Sequence, residues 1–224
     1  MQRRMARFDR LITDLSTTRV SDRACNQYSR IEGTLRENAV RRHNLRLYLE
    51  QLDAIGPRAL LIGEAVSHRG GRLTGIAFVS EAVMLSGVAT RNGLVLGGDQ
   101  GYRKATSGPK LSTEASATMV WGTIRDIDPL PLLWNAFPFH PFHPGQPLSN
   151  RVPTAAELEI GSHFIAQLTR LFAFDLIIAV GNQASSSLTR MGITHEKVRH
   201  PSMGGKLQFV EGVRSKVERF LYDE

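Results

Sequence analysis

Apolar positions first recur at helical spacing, in Phe8, Leu11, Ile12 and Leu15, which predicts an amphipathic helix ended by Ser16-Thr17-Thr18. Residues 19–34 show no period and read as irregular. Arg36 to Leu52 reads as a second helix with Leu45, Leu49 and Leu52 on one side. Arg41, Arg42 and Arg46 fall elsewhere on it and read as a solvated face, and Gly56-Pro57 stops it. The pattern then shortens. Ala59-Leu60-Leu61-Ile62 is a strand-sized apolar run ending at Gly63-Glu64, and Thr74 to Val79 is apolar again after Gly70 and Gly71. Residues 91–113 are rich in Gly, Ser and Thr and read as a mobile connection. Within it Arg103, Lys104 and Lys110 are candidate phosphate contacts, and Ser112 or Thr113 is a candidate cap for a short helix starting at Glu114.

Leu130 to Phe137 is the next buried strand, with Asn135 near its end. Thr154 followed by Glu157 is a capping box. It opens a helix whose apolar face is Phe164, Ile165, Leu168, Leu171 and Phe172. Asp175 to Val180 is a strand, Ala184 to Met191 a helix of small residues, and Lys197 to Arg199 a last short strand. Gly204 to Leu221 is the final helix, with Phe209, Val210, Val213, Val217 and Phe220 as its apolar face. Alternating strands and helices predict an α/β fold, a parallel sheet with helices on both faces. Ligands in such sheets gather at the carboxyl ends of strands, where Glu64, Asn135 and His200 would converge. We find no repeat and no linker, so residues 1–224 read as one domain with residues 1–55 as an N-terminal helical extension.

Composition narrows the partners. With 42% hydrophobic and 22% charged residues among 224, the chain is globular and long enough for a sizeable core. A net charge of +7 fits a polyanionic partner without requiring one. The lone Cys25 excludes an intramolecular disulfide and any four-cysteine site. The first fifteen residues carry Asp9 and Asp14 and lack the apolar centre of a signal peptide. No apolar run reaches membrane-spanning length. A cytoplasmic protein, nucleoid-associated if bacterial, with no membrane partner is the expectation.

His200-Pro201-Ser202, continued by Met203-Gly204-Gly205-Lys206-Leu207, is a good anion-facing loop. The proline restricts the histidine, the glycines let backbone N–H groups approach a phosphate, and a helix N-terminus follows. Gly97-Gly98-Asp99-Gln100-Gly101 lacks the Gly-Lys-[Ser/Thr] ending of a phosphate-binding P-loop. His140 and His143 lie in a loop holding five of the ten prolines, and no third metal ligand accompanies them.

Taken in order, several segments resemble the uracil-DNA glycosylase superfamily. Gly63-Glu64-Ala65, followed by Thr74-Gly75-Ile76-Ala77-Phe78-Val79, is similar to the GEAPG…G-x-PFVG segment of the iron–sulfur (family 4) branch. Trp134-Asn135-Ala136-Phe137 looks like the strand ending in an Asn. Asn150-Arg151-Val152-Pro153-Thr154 with Glu157 resembles that branch's NR-x-P-T-x-x-E segment. Gly181-Asn182-Gln183-Ala184 resembles the LG-x-x-A turn, and His200-Pro201-Ser202 matches the HPS loop. The resemblance implies a three-layer α/β/α fold around a four-stranded, mainly parallel sheet, and hydrolysis of the bond between a damaged base and deoxyribose. It implies catalytic roles for Glu64 and His200, and base binding by Phe78, Asn135 and Ala65. It further implies DNA contacts by Ser202, Met203, Gly204, Gly205, Lys206 and Leu207. The implied enzyme is a monomer acting on DNA that contains a damaged base, with no cofactor and no metal.

The chain departs from the pattern in four places. One cysteine cannot hold the branch's four-cysteine cluster. The usual Pro after Gly-Glu-Ala is Val66, and Ala65 stands where the best-known branch has its catalytic Asp. Ser67 stands where that branch excludes thymine with a Tyr, so the exclusion of thymine stays open, as does the preference for uracil over xanthine or hypoxanthine. From the residues alone, Phe78 could be core, Glu64 a cap or ion-pair partner, and His200 a buried structural histidine. A non-catalytic nucleic-acid binder, or a hydrolase of free nucleosides or nucleotides, is the alternative reading.

Overall fold

In the computed structural model, residues 7–221 are described. The N-terminal apolar pattern gives α1 (Asp9–Thr17), and the second gives α2 (Leu35–Ile55), ended by Gly56 at φ +74°. Between them lies β1 (Ala24–Cys25). The apolar run after Pro57 is β2 (Ala59–Ala65), three residues longer than its apolar part. It thus contains Glu64. Two short helices follow, α3 (Gly71–Thr74) and α4 (Glu81–Ser86). Then come a hairpin of β3 (Val88–Thr90) and β4 (Gly93–Val95), and α5 (Ala115–Ile124). The remaining elements are β5 (Leu132–Phe137), β6 (His140–Pro141), α6 (Ala155–Leu171) and β7 (Leu176–Val180). The chain closes with α7 (Asn182–Arg190), β8 (Glu196–Val198) and α8 (Lys206–Leu221).

The central sheet runs β5-β2-β7-β8 and is parallel throughout, with helices on both faces in three layers. Its apolar strands are buried apart from the half-buried Ile177 and Ala65, as coverage on both faces requires. Register sets the site: Gly63 lies opposite Asn135 and Ala65 opposite Phe137, so the polar ends of β2 and β5 stand side by side. At the free edge of β5 the Leu133 N–H donates to the Tyr48 hydroxyl at 2.8 Å, so α2 covers that edge. Helix α6 approaches β5 so closely that a β-carbon on Gly161 would fall 1.8 Å from the Ala136 carbonyl oxygen. Its predicted capping box is complete, with Thr154 Oγ1 accepting from Glu157 N–H and the Glu157 carboxylate accepting from Thr154 N–H.

Four expectations are corrected. Arg41 is not a solvated residue: it is 5% exposed and donates to Asn38, Glu37 and the Leu73 carbonyl. Residues 91–113 are not simply a loop, because Gly93–Val95 pairs with Val88–Thr90. The helix after them starts at Ala115 with no side-chain cap, and Ser112 donates instead to the Arg69 carbonyl. Phe220 lies outside the core, beneath the Arg219 guanidinium, while Phe209, Val213 and Val217 are buried as expected.

Candidate active site

A cleft of about 280 Å³ opens at the carboxyl ends of β2 and β5 and at the loop after β8. Glu64, Ala65, Phe78, Asn135, His200 and Ser202 all line it, so six of the residues singled out in the sequence meet in one place. Met203, Gly204, Gly205, Lys206 and Leu207 do not line it and continue from its edge.

Glu64 Oε1 is buried with no hydrogen-bond partner, and burial raises its carboxyl above the ordinary glutamate range. It neither caps a helix nor enters an ion pair among the described residues, so those readings fall away. A carboxylate kept this way costs stability, which makes it a candidate for chemistry. Asn135 is 4% exposed, and its side-chain amide makes no hydrogen bond among the described residues. A purely structural buried amide would be hydrogen-bonded.

The Phe78 ring lies over Gly63: a β-carbon there would sit 2.4 Å from Phe78 Cζ and 2.6 Å from Asn135 Oδ1. Phe78 itself adopts φ +54°, rare for an aromatic residue, and its carbonyl accepts from Trp121 Nε1 at 3.1 Å. Such strain, on the order of 1–3 kcal/mol, is held where surroundings over-determine the backbone, commonly at functional sites. Phe78 is thus a half-buried ring facing a cleft rather than an interior one.

His200 has a fixed proton. Its Nδ1 accepts from the Ser202 N–H at 3.1 Å and lies 2.7 Å from the Ser202 hydroxyl. The ring proton therefore sits on Nε2, which has no partner among the described residues. Burial and the nearby Arg199 charge lower its pKa, which favours the neutral ring. Beyond it, Met203 at φ +54° is 91% exposed and Leu207 is 72% exposed, two apolar side chains thrust into solvent. Gly205 is required by packing, since a β-carbon would meet the His200 carbonyl oxygen at 2.2 Å.

Sequence reasoning missed Glu114, Ser116 and Asn150 as lining residues. Asn150 Oδ1 accepts from the His68 N–H at 3.0 Å, tying two cleft loops together. Arg151 is bound bidentately to Glu157 at 2.7 and 2.6 Å and donates to the Phe142 carbonyl, which makes it a loop anchor. His140 is no metal ligand, because both ring nitrogens face carbonyl oxygens, of Val66 at 2.8 Å and Pro147 at 3.1 Å.

No family model matches the chain, and no curated protein matches it significantly. Among solved structures it is similar to SMUG2 of Pedobacter heparinus, with a TM-score of 0.63 at 15% identity, covering 96% of this chain and 97% of that one. The two chains share one fold, three layers around a four-stranded parallel sheet here. The cleft described above lies at the strand ends of that fold.

Proposed function

We propose that the protein is a monofunctional DNA glycosylase that hydrolyses the N-glycosidic bond of uracil or a related deaminated base, acting as a monomer. The observation that carries this reading is the unpartnered Glu64 carboxyl, set in one cleft with the free Asn135 amide, the Phe78 ring and His200. An enzyme working on a base takes it out of the stack and reads its edge in a pocket. Phe78 stacks on the extruded base. Asn135 offers a donor and an acceptor in one plane, which matches uracil O4 and N3–H and misfits cytosine.

Glu64 takes a proton from the attacking water as its oxygen bonds to C1′. The C1′–N1 bond breaks and its electron pair leaves with the base. His200, neutral with its proton on Nε2, donates to uracil O2 and stabilises the departing anion. Met203 and Leu207 fill the space the base vacates, as apolar wedges do in kinked DNA. Backbone N–H groups of the loop from Ser202 to Gly205, with Lys206, hold phosphates. Within the superfamily, the Gly63-Glu64-Ala65 and Asn150-to-Glu157 segments support a place near the family 4 branch; this is read from the motifs alone.

The test is an excision screen. Single- and double-stranded oligonucleotides carrying one uracil, hypoxanthine or xanthine are incubated with the protein and treated with alkali. Cleavage at uracil or another deaminated base, lost in His200→Ala, is the expected result. Intact strands with every base, while DNA is still bound, would overturn the reading.

A further inference from the structure

Glu114 is the last residue before α5, with extended backbone (φ −139°, ψ 120°) and no side-chain bond to the helix. Its carboxyl instead reaches the cleft that Glu64 and Asn135 line. The Ser67 hydroxyl accepts from the Gly70 N–H at 3.0 Å, so its own proton points to Glu114 Oε1 at 2.6 Å. The other oxygen, Oε2, occupies the space over Gly70, where a β-carbon would lie 2.0 Å from it. Gly70 thus makes room for this carboxyl as Gly63 does for Phe78 and Asn135. No cation pairs with Glu114 among the described residues.

A carboxyl oxygen that already accepts a hydrogen bond is the less favoured place for the acid proton. Because Oε1 receives the Ser67 proton, Glu114 in its acid form carries its hydrogen on Oε2. Burial raises Glu114 above the ordinary glutamate range and outweighs the Ser67 bond and the His68 charge. The titratable and charged groups that share its cleft or act on it are Glu64 on β2, His68 in the loop after β2, Arg151 before α6 and His200 after β8.

We propose that Glu114 is a specificity-determining residue of the cleft, its carboxyl donating from Oε2 to a carbonyl oxygen of the extruded base. This rests on the glycosylase reading and extends it. Asn135 donates to O4 and accepts from N3–H, His200 keeps O2, and Glu114 adds a second donor at O4, the oxygen that stands where cytosine and adenine carry an amino group. An amino group in that place faces a donor unless Glu114 ionises against its burial.

The test compares wild type with Glu114→Gln, Glu114→Met and Glu114→Ala in single-turnover uracil excision across pH, with melting temperature and DNA affinity measured alongside. Glutamine keeps the acceptor for Ser67 and a permanent donor at the second position. Excision by E114Q within about threefold of wild type is expected, without the wild-type decline as Glu114 ionises at higher pH. Methionine or alanine should lower excision by about tenfold or more, the worth of one such hydrogen bond. E114Q as slow as E114A, or E114A and E114M as fast as wild type, would overturn the proposal. A purely structural carboxyl would leave the pH profile of folded E114Q parallel to wild type, which also counts against it. Titration with free uracil separates this from the function itself. Should wild type excise nothing, tighter uracil binding by wild type and E114Q than by E114M still supports the role, and equal binding refutes it.

Discussion

Gly63 has no room for a side chain, because the Phe78 ring and the Asn135 amide already occupy that space. One small residue therefore holds together two groups far apart in sequence. Glu64 beside it is carried at a cost, and the sign of that cost can be checked. Its folded pKa is raised, so the folded state binds more protons than the unfolded state between the two pKa values, and stability falls as pH rises through that window. Glu64→Gln should therefore raise the melting temperature at neutral pH, and the gain should vanish below the unfolded glutamate pKa, near pH ~4. A melting-temperature series across pH measures this; a gain that grows towards acid would contradict it. Glu64 and Asn135 were legible because each ends a recognisable apolar run, and His200 because it opens the His-Pro-Ser loop. Glu114 was not, because its carboxyl reaches the cleft only through the folded turn at Ser67–Gly70, which leaves no period in the sequence.

At the scale of elements, the cleft wall depends on how α6 is anchored. Arg151 and Glu157 form a buried bidentate pair, and Glu157 also accepts from Ser21 and the Thr154 N–H. Burial pushes the Glu157 carboxyl up, but these bonds outweigh it and hold it below the usual range. Its stabilisation is present above the unfolded pKa and is lost as pH falls through the lower folded one. Glu157→Ala should cost about 3 kcal/mol, since it strands Arg151, measured by urea unfolding at neutral pH. A loss under about 1 kcal/mol would mean that the pair is replaceable by solvent. The capping box was plain in the sequence because Thr154 and Glu157 act locally. The burial of Arg41 was not, since its partners include the Leu73 carbonyl, 32 residues away. The hairpin of β3 and β4 was hidden for a related reason: its strands are three residues each, too short to establish an alternation.

For the whole molecule, charge and cleft share one face. Arg69 lies between the lining residues Ser67 and Gly71, Lys110 is in the segment tied to Arg69 by Ser112, and Arg199 and Lys206 flank the His200 loop. None of these four side chains makes an ion pair among the described residues. DNA laid over the cleft meets them, so binding should weaken steeply with salt, and Lys206→Gln should reduce the slope of log K against log salt by about 1. An unchanged slope would place the phosphates elsewhere. The sheet order was legible in outline from alternating strands and helices, and its four-stranded form came with the family resemblance. The basic rim was not, because its members come from loops that only the fold brings round the cleft. The most direct test of the central claim is single-turnover excision of uracil by wild type and Glu64→Gln at saturating protein, with DNA affinity measured in parallel. The account predicts alkali-labile product from wild type and a loss of at least about a hundredfold in the variant, with affinity retained. Equal excision by both proteins, or none by wild type on any deaminated base, would contradict it.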